Sequence, residues 1–218
     1  MSRPNRQLRK SYKVFCEGDT EYNYIEGLRK QRRLHIRIKT IDMQGGGYKN
    51  FLRKIRQESE ANCLAKFISI DGDRAENDEI EKKNLLDIIE YCKVQNDSKR
   101  CPHILIVNHP DFEYVGCSHS IHFRGQNTNA FIKDQFNYNS LDEFKGDNNI
   151  FAVLTKGDNS IDNMLNALRT KPHVVKNTIR KAKELFSVAV EGPILDDESF
   201  GKKGSNMEDF YKVINMFE

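Results

Sequence analysis

Several features are missing from this chain of 218 residues, and each absence removes a class of protein. No stretch approaches the roughly 18 consecutive apolar residues of a membrane span, so a membrane-embedded protein is not expected. No Cys-x-x-Cys pair occurs, and the five cysteines (Cys16, Cys63, Cys92, Cys101, Cys117) make an odd count. Both facts argue against a disulfide framework and against a zinc ribbon. Cys16 falls inside an apolar run and reads as a small core residue. There is no internal repeat and no long low-complexity segment, which excludes a solenoid. The basic stretch from Met1 to Lys13 lacks the apolar region of a signal peptide, so the expected compartment is the cytoplasm. No Walker motif is present, so the chain is not expected to be an ATPase. The run Gly45-Gly46-Gly47 lacks the Gly-Lys-Ser/Thr ending of a phosphate loop and the full dinucleotide fingerprint. It reads as a strand-to-helix turn, with a backbone contact to a phosphate at that helix start as the alternative. His119 and His122 have i,i+3 spacing, but no third ligand stands at a zinc-like distance from them.

What is present is a charged, soluble composition. Charged residues are 31% and hydrophobic residues 38% of the chain, which is long enough for one good core and short for two. The net charge of +3 says little, but its distribution says more. Arg3, Arg6, Arg9, Lys10 and Lys13 form a basic arm, and Arg29, Lys30, Arg32 and Arg33 close the first predicted helix. Such clusters track nucleic-acid phosphates. The plainer reading is a solvated face plus cations favoured at a helix C-terminus.

Periodicity gives the organisation. Strands are predicted over 12–16, 36–43, 65–70 and 104–107, and helices over 20–33, 48–59 and 78–94. Asp19 is the expected cap of the first helix. The alternation predicts a mainly parallel central sheet with helices on its faces. Beyond Pro110 the pattern changes. A helix is expected from Phe112 to Ile121 with Glu113 inward, short helices and loops from Gly125 to Asp147, and an edge strand from Ile150 to Leu154. Further helices are expected over 160–168 and 172–186, with Ser205 or Asn206 capping a last one. An α/β core over 1–122 and an accessory helical region over 123–218, packed on it as one unit, are the expected domains.

Two short acidic motifs close predicted strands. One is Cys16-Glu17-Gly18-Asp19-Thr20-Glu21; the other is Ile70-Asp71-Gly72-Asp73-Arg74. In an open parallel sheet the carboxyl ends of neighbouring strands face one crevice, so these carboxylates are expected to converge. Carboxylates sharing a cleft raise one another's pKa unless a cation is present, and hard oxygen ligands suit Mg²⁺ or Mn²⁺. Alternate residues leaving a strand project to one side, which fits Asp71 and Asp73 as a pair. Glu21, one turn beyond Glu17, can point at the same cation. Asp71-Gly72-Asp73 alone also fits a polar turn.

At these residues the chain resembles the Toprim metal site shared by topoisomerases, bacterial primases and overcoming-lysogenization-defect nucleases. It is more closely similar to the RloB-like proteins, which include the AbiLii component of phage-abortive systems. That similarity rests on Cys16-Glu17-Gly18-Asp19-Thr20-Glu21-Tyr22 and on Asn108-His109-Pro110-Asp111-Phe112-Glu113-Tyr114. The resemblance covers most of the chain and implies a Toprim-like fold. It implies that Asp71 and Asp73 hold Mg²⁺ and that Glu17 ligates metal or acts as general acid or base. It brings in Glu113 as a further acidic residue and a separate AAA-type ATPase as partner.

The function expected from these readings is Mg²⁺-dependent phosphodiester cleavage of DNA or RNA in antiphage defence. Such cleavage calls for a cation beside the phosphorane, and Lys156 and Arg74 are the residues expected to supply one. Arg29, Lys30, Arg32, Arg33 and Arg74 are the expected nucleic-acid contacts. The alternatives are a non-catalytic Toprim-fold binding or sensor module and, less well supported at this size, a nucleotidyl transferase.

Overall fold

Alternation of apolar strands with helices builds a mainly parallel sheet in the computed structural model, which describes residues 11–41, 47–98, 101–182, 185–192 and 202–216. The basic arm before Lys13, Gly45, Gly46, Pro193 and Gly201 lie outside those residues. The elements run β1 (Ser11–Cys16), α1 (Asp19–Arg32), β2 (Ile36–Thr40), α2 (Gly47–Arg56), β3 (Cys63–Asp71), α3 (Asp73–Asn77), α4 (Glu79–Asp97) and β4 (His103–His109). They continue with α5 (Phe112–Cys117), α6 (Thr128–Phe136), α7 (Leu141–Gly146), α8 (Ile150–Leu154), α9 (Ile161–Arg169), β5 (Lys176–Ala182), β6 (Leu185–Glu191), β7 (Gly204–Ser205) and α10 (Glu208–Ile214).

The central sheet has the order β2-β1-β3-β4-β7. Its first four strands are parallel, and β7 joins β4 antiparallel. β1 and β4 are buried along their whole length, as strands covered on both faces are, whereas β2 at the edge alternates buried and exposed positions. The chain moves outward from β1 to β2, then returns past β1 to β3 and β4. Right-handed crossovers in opposite directions place α1 on one face and the mutually packed α2 and α4 on the other. The order reverses between β1 and β3, so their carboxyl ends frame the crevice of a doubly wound sheet. No described helix is long and apolar enough to cross a membrane.

One hydrophobic core unites the sheet with the later elements. α8 packs on α1 because Gly27 leaves room there: a Cβ at that position would lie 2.4 Å from Cβ of Phe151. At the β4 edge, side-chain amides extend the short pairing of β7. Asn206 accepts from the Val107 N–H at 2.9 Å and donates to the Leu105 carbonyl at 2.8 Å; Asn177 donates to the same carbonyl at 2.9 Å.

The later half corrects three sequence expectations. Ile150–Leu154 is a helix, not an edge strand; Ile150, Phe151 and Leu154 are buried, a spacing that places them on one helical face. The helix expected over 172–186 is instead part of a hairpin, with β5 and β6 antiparallel. Phe186, Val188 and Val190 are buried while Ser187 and Ala189 between them are exposed, the period of a half-buried strand. The last helix is capped at Met207 without a side-chain cap bond, and Ser205 Oγ accepts from the Met207 N–H instead. The first helix is likewise capped at Gly18, with exposed Asp19 as its opening residue.

Candidate functional site

Glu17 leaves β1 and Asp71 ends β3, so neighbouring parallel strands deliver them to the same edge. Their contact is direct: one Glu17 carboxylate oxygen accepts the Asp71 backbone N–H at 3.0 Å, and the other accepts from Arg74 Nε at 3.1 Å. Gly72 permits this tight turn beside β4, since a Cβ there would lie 2.8 Å from His109 Nδ1. Backbone donors fix the turn further, with the Gly72 and Asp73 N–H groups bonded to the Pro110 carbonyl at 3.0 and 2.9 Å.

Two more carboxylates come in from helices. Glu21 is buried in the first turn of α1, and one of its oxygens accepts the Gly18 N–H at 3.1 Å. Glu113 is buried in the first turn of α5 and accepts from Thr20 Oγ1 at 2.8 Å. Its other oxygen lies 3.4 Å from Lys145 Nζ on α7. Asp111 caps α5 by accepting the Tyr114 N–H at 2.9 Å. From the opposite side Tyr48, at the start of α2, donates its hydroxyl to the Asp71 carbonyl.

The electrostatics follow from burying like charges together. Burial, then Glu21, Glu17 and Glu113 in that order, push the Asp71 carboxyl well above its ordinary range. Glu21 is likewise pushed well up, by burial first and then by Glu17 and Glu113. Glu17, Asp111 and Glu113 also rise, burial being the main cause in each. The neighbouring acids hold the Lys145 ammonium above its usual value despite the opposing cost of burial.

Three oxygens in this cluster, Asp71 Oδ1, Glu21 Oε1 and Glu113 Oε2, are buried without a hydrogen-bond partner among the described residues; the last faces Lys145 Nζ at 3.4 Å, and the first two remain as the unpartnered pair. A buried carboxylate oxygen without a donor is costly. Hard anionic oxygens in that condition fit a divalent cation of the Mg²⁺ or Mn²⁺ type. Glu17 differs, since both its oxygens are already engaged. Asp73 is exposed at the start of α3, on the same side as Glu17, whose carboxyl it helps to raise. Among the described residues no group of three or more His, Cys, Asp or Glu side chains is already arranged to hold a metal ion.

The remaining expected site residues lie elsewhere. Lys156 is exposed in the turn after α8, and its expected setting behind a late strand is absent because that segment is helical. The lysine that meets the acids is Lys145, in a polar stretch without any motif. Arg74 is at the cluster as the ion-pair partner of Glu17. Arg29, Lys30, Arg32 and Arg33 occupy the far end of α1, with Arg32 about 16 Å along the helix axis from Glu21. Arg29 and Lys30 pair with Glu26 there. Arg32 donates to Asn215 at 2.9 Å and lies 5.9 Å from the Tyr211 ring centre. His119 is buried in a structural network, its Nε2 2.9 Å from the Tyr24 hydroxyl, and burial lowers its pKa to about 4.

Comparison with protein-family models, with characterised proteins and with solved structures returns no match.

Proposed function

We propose that the chain is a Mg²⁺- or Mn²⁺-dependent phosphodiesterase acting on nucleic acid. The observation that carries this reading is the pair of buried, unpartnered oxygens, Asp71 Oδ1 and Glu21 Oε1, in a cluster of mutually repelling carboxylates at the carboxyl edge of β1 and β3. Asp71 and Glu21 are the residues that would hold the cation, with exposed Asp73, which lies toward Glu17, as a further carboxylate at the same edge. When bound, such a cation neutralises a phosphate oxygen and lowers the pKa of water.

The chain's own groups divide the remaining work. Glu17, its pKa raised by burial, is suited to move a proton at the reacting oxygen. Lys145, beside Glu113, and Arg74, beside Glu17, are the cations at the cluster for the charge that develops on a pentavalent phosphorus. Thr20 holds Glu113 in place, and Tyr48 anchors the Asp71 backbone. The RloB-like resemblance adds the rest of the proposal: a role in antiphage defence in the cytoplasm, regulated by a separate AAA-type ATPase. The test is cleavage of plasmid DNA and total RNA, with and without Mg²⁺ or Mn²⁺, by wild-type and Asp71→Asn protein. Metal-dependent cleavage lost in the variant supports the proposal. Equal cleavage by both would replace it with the binding-module reading.

A further inference from the structure

A second feature lies on the face of the sheet that carries α2 and α4. Between these helices runs a groove of about 840 Å³, open along one side. α2 contributes Lys49, Arg53 and Arg56, and α4 contributes Asn84 and Asp87. Three cations therefore face a single carboxylate. The spacing i, i+4, i+7 puts the three on one side of α2, spread over about 10 Å of helix axis. None is committed to an ion pair with that carboxylate. Arg53 bonds the Asn50 side chain at 2.6 and 3.1 Å, and the Arg56 guanidinium carbon sits over the Tyr91 ring, 5.5 Å from its centre. A guanidinium on an aromatic face leaves its edge donors for phosphate and offers a flat surface to a base.

The Lys49 end of the groove adjoins, along the chain, a residue anchored at the acidic edge. Tyr48, the residue before Lys49, donates to the Asp71 carbonyl, and its own N–H is held by Glu81 at 2.8 Å. The cations of α1 begin at the opposite end of their helix and are largely engaged within the fold. We infer that the α2–α4 groove carries a single strand of nucleic acid to the acidic edge, with Lys49, Arg53 and Arg56 on successive phosphates. Packed helices stand about 8–10 Å apart, so the groove between them suits one strand and not a duplex. This inference rests on the proposed phosphodiesterase reading but is tested by binding alone.

The experiment measures fluorescence anisotropy of a labelled single-stranded oligonucleotide of about 12 nucleotides across a salt series, with chelator present so that no cleavage occurs. The combined variant Lys49→Gln, Arg53→Gln, Arg56→Gln is compared with Arg29→Gln, Arg32→Gln, Arg33→Gln and with wild type. The single variant Arg53→Glu, on an exposed side chain, serves if the triple variant fails to fold. Loss of three phosphate contacts should lower the slope of log affinity against log salt by about 2 in the groove variant, with the α1 variant close to wild type. Competition by unlabelled duplex should be weaker than by single strand. The inference is overturned if the groove variants bind as wild type does, if the α1 variant alone loses affinity, or if duplex competes better. Groove-dependent binding in a protein that never cleaves would sink the phosphodiesterase reading and leave this one standing. Metal-dependent cleavage with an unchanged groove variant would do the reverse.

Discussion

The two edges of the central sheet bury charge in opposite ways. At the amino edge, Lys13 and Lys66 face each other in register on β1 and β3, and both are buried. Both are also satisfied: Lys13 donates to the Ser59 carbonyl, and Lys66 donates to the Glu58 carbonyl at 3.1 Å with Glu60 at 3.8 Å. At the carboxyl edge of the same strands, half-buried Asp71 and buried Glu21 lie among further acids, and one buried oxygen of each lacks a hydrogen-bond partner among the described residues. Burial of a charge therefore does not mark a site in this fold. A buried charge with its partners in place holds the chain together, and a buried charge without them is waiting for something.

That contrast can be broken by exchanging the roles of the two edges. The largest effect should come from Glu17→Gln, which removes the proton carrier and should slow metal-dependent cleavage by about 10²–10⁴-fold with the fold unchanged by circular dichroism. Lys66→Met should do the opposite: it strips the Glu58 carbonyl of a charged donor and should cost about 2 kcal/mol in urea unfolding, with cleavage per folded molecule unaltered. An inactive but fully stable Lys66→Met protein would show that the amino edge is chemical as well. Lys145→Met should sit between these, leaving Glu113 without its cation. About tenfold slower cleavage is expected, with recovery in Lys145→Arg, measured as initial rates at saturating metal.

The smallest effect is a pH dependence with a definite sign. The carboxyls of Asp71, Glu21, Glu17 and Glu113 are all raised in the folded state, chiefly by burial. The folded protein therefore holds these protons more tightly than the unfolded chain. Their stabilisation is complete below the unfolded carboxylate pKa of about 4 and is lost as pH rises through the folded values. In chelator, the melting temperature should fall from mildly acid toward neutral pH, and Asp71→Asn should flatten that fall. A melting profile in Asp71→Asn as steep as in wild type would mean that the carboxyl edge is not under electrostatic strain.

The residues made these two halves of the molecule unequally readable. β1, β3 and β4 are apolar runs closed by Gly or Pro motifs, and each gave its place and its acidic end directly. The pentapeptide Ile150–Leu154 is equally apolar, but a short run of this kind carries no period of its own, and its contact with α1 through Gly27 decides for a helix. Lys176 to Ala182 is rich in helix-compatible Lys, Arg and Ala, yet pairs as a strand because Asn177 satisfies the Leu105 carbonyl and β6 supplies a ladder. The alternation at Phe186, Val188 and Val190 was the available signal. In the site, Glu17, Asp71, Glu21 and Glu113 were visible because motifs bracket them. Lys145 was not, since a lysine in a polar segment reveals nothing until the chain folds back onto α1 and α5. The paired state of Arg29 and Lys30 was legible only in part: Glu26 at helical spacing was a hint, but the position of the far end of α1 needed the topology.

The central claim is that the unpartnered oxygens at the carboxyl edge are the seat of a divalent cation. Thermal unfolding against Mn²⁺ concentration tests it without any substrate. Wild type at about a hundredfold excess over its dissociation constant should gain about 2.7 kcal/mol, a rise of roughly 5–10 °C, whereas the double variant Asp71→Asn, Glu21→Gln should not respond. An equal rise in both proteins, or none in wild type, would contradict the account.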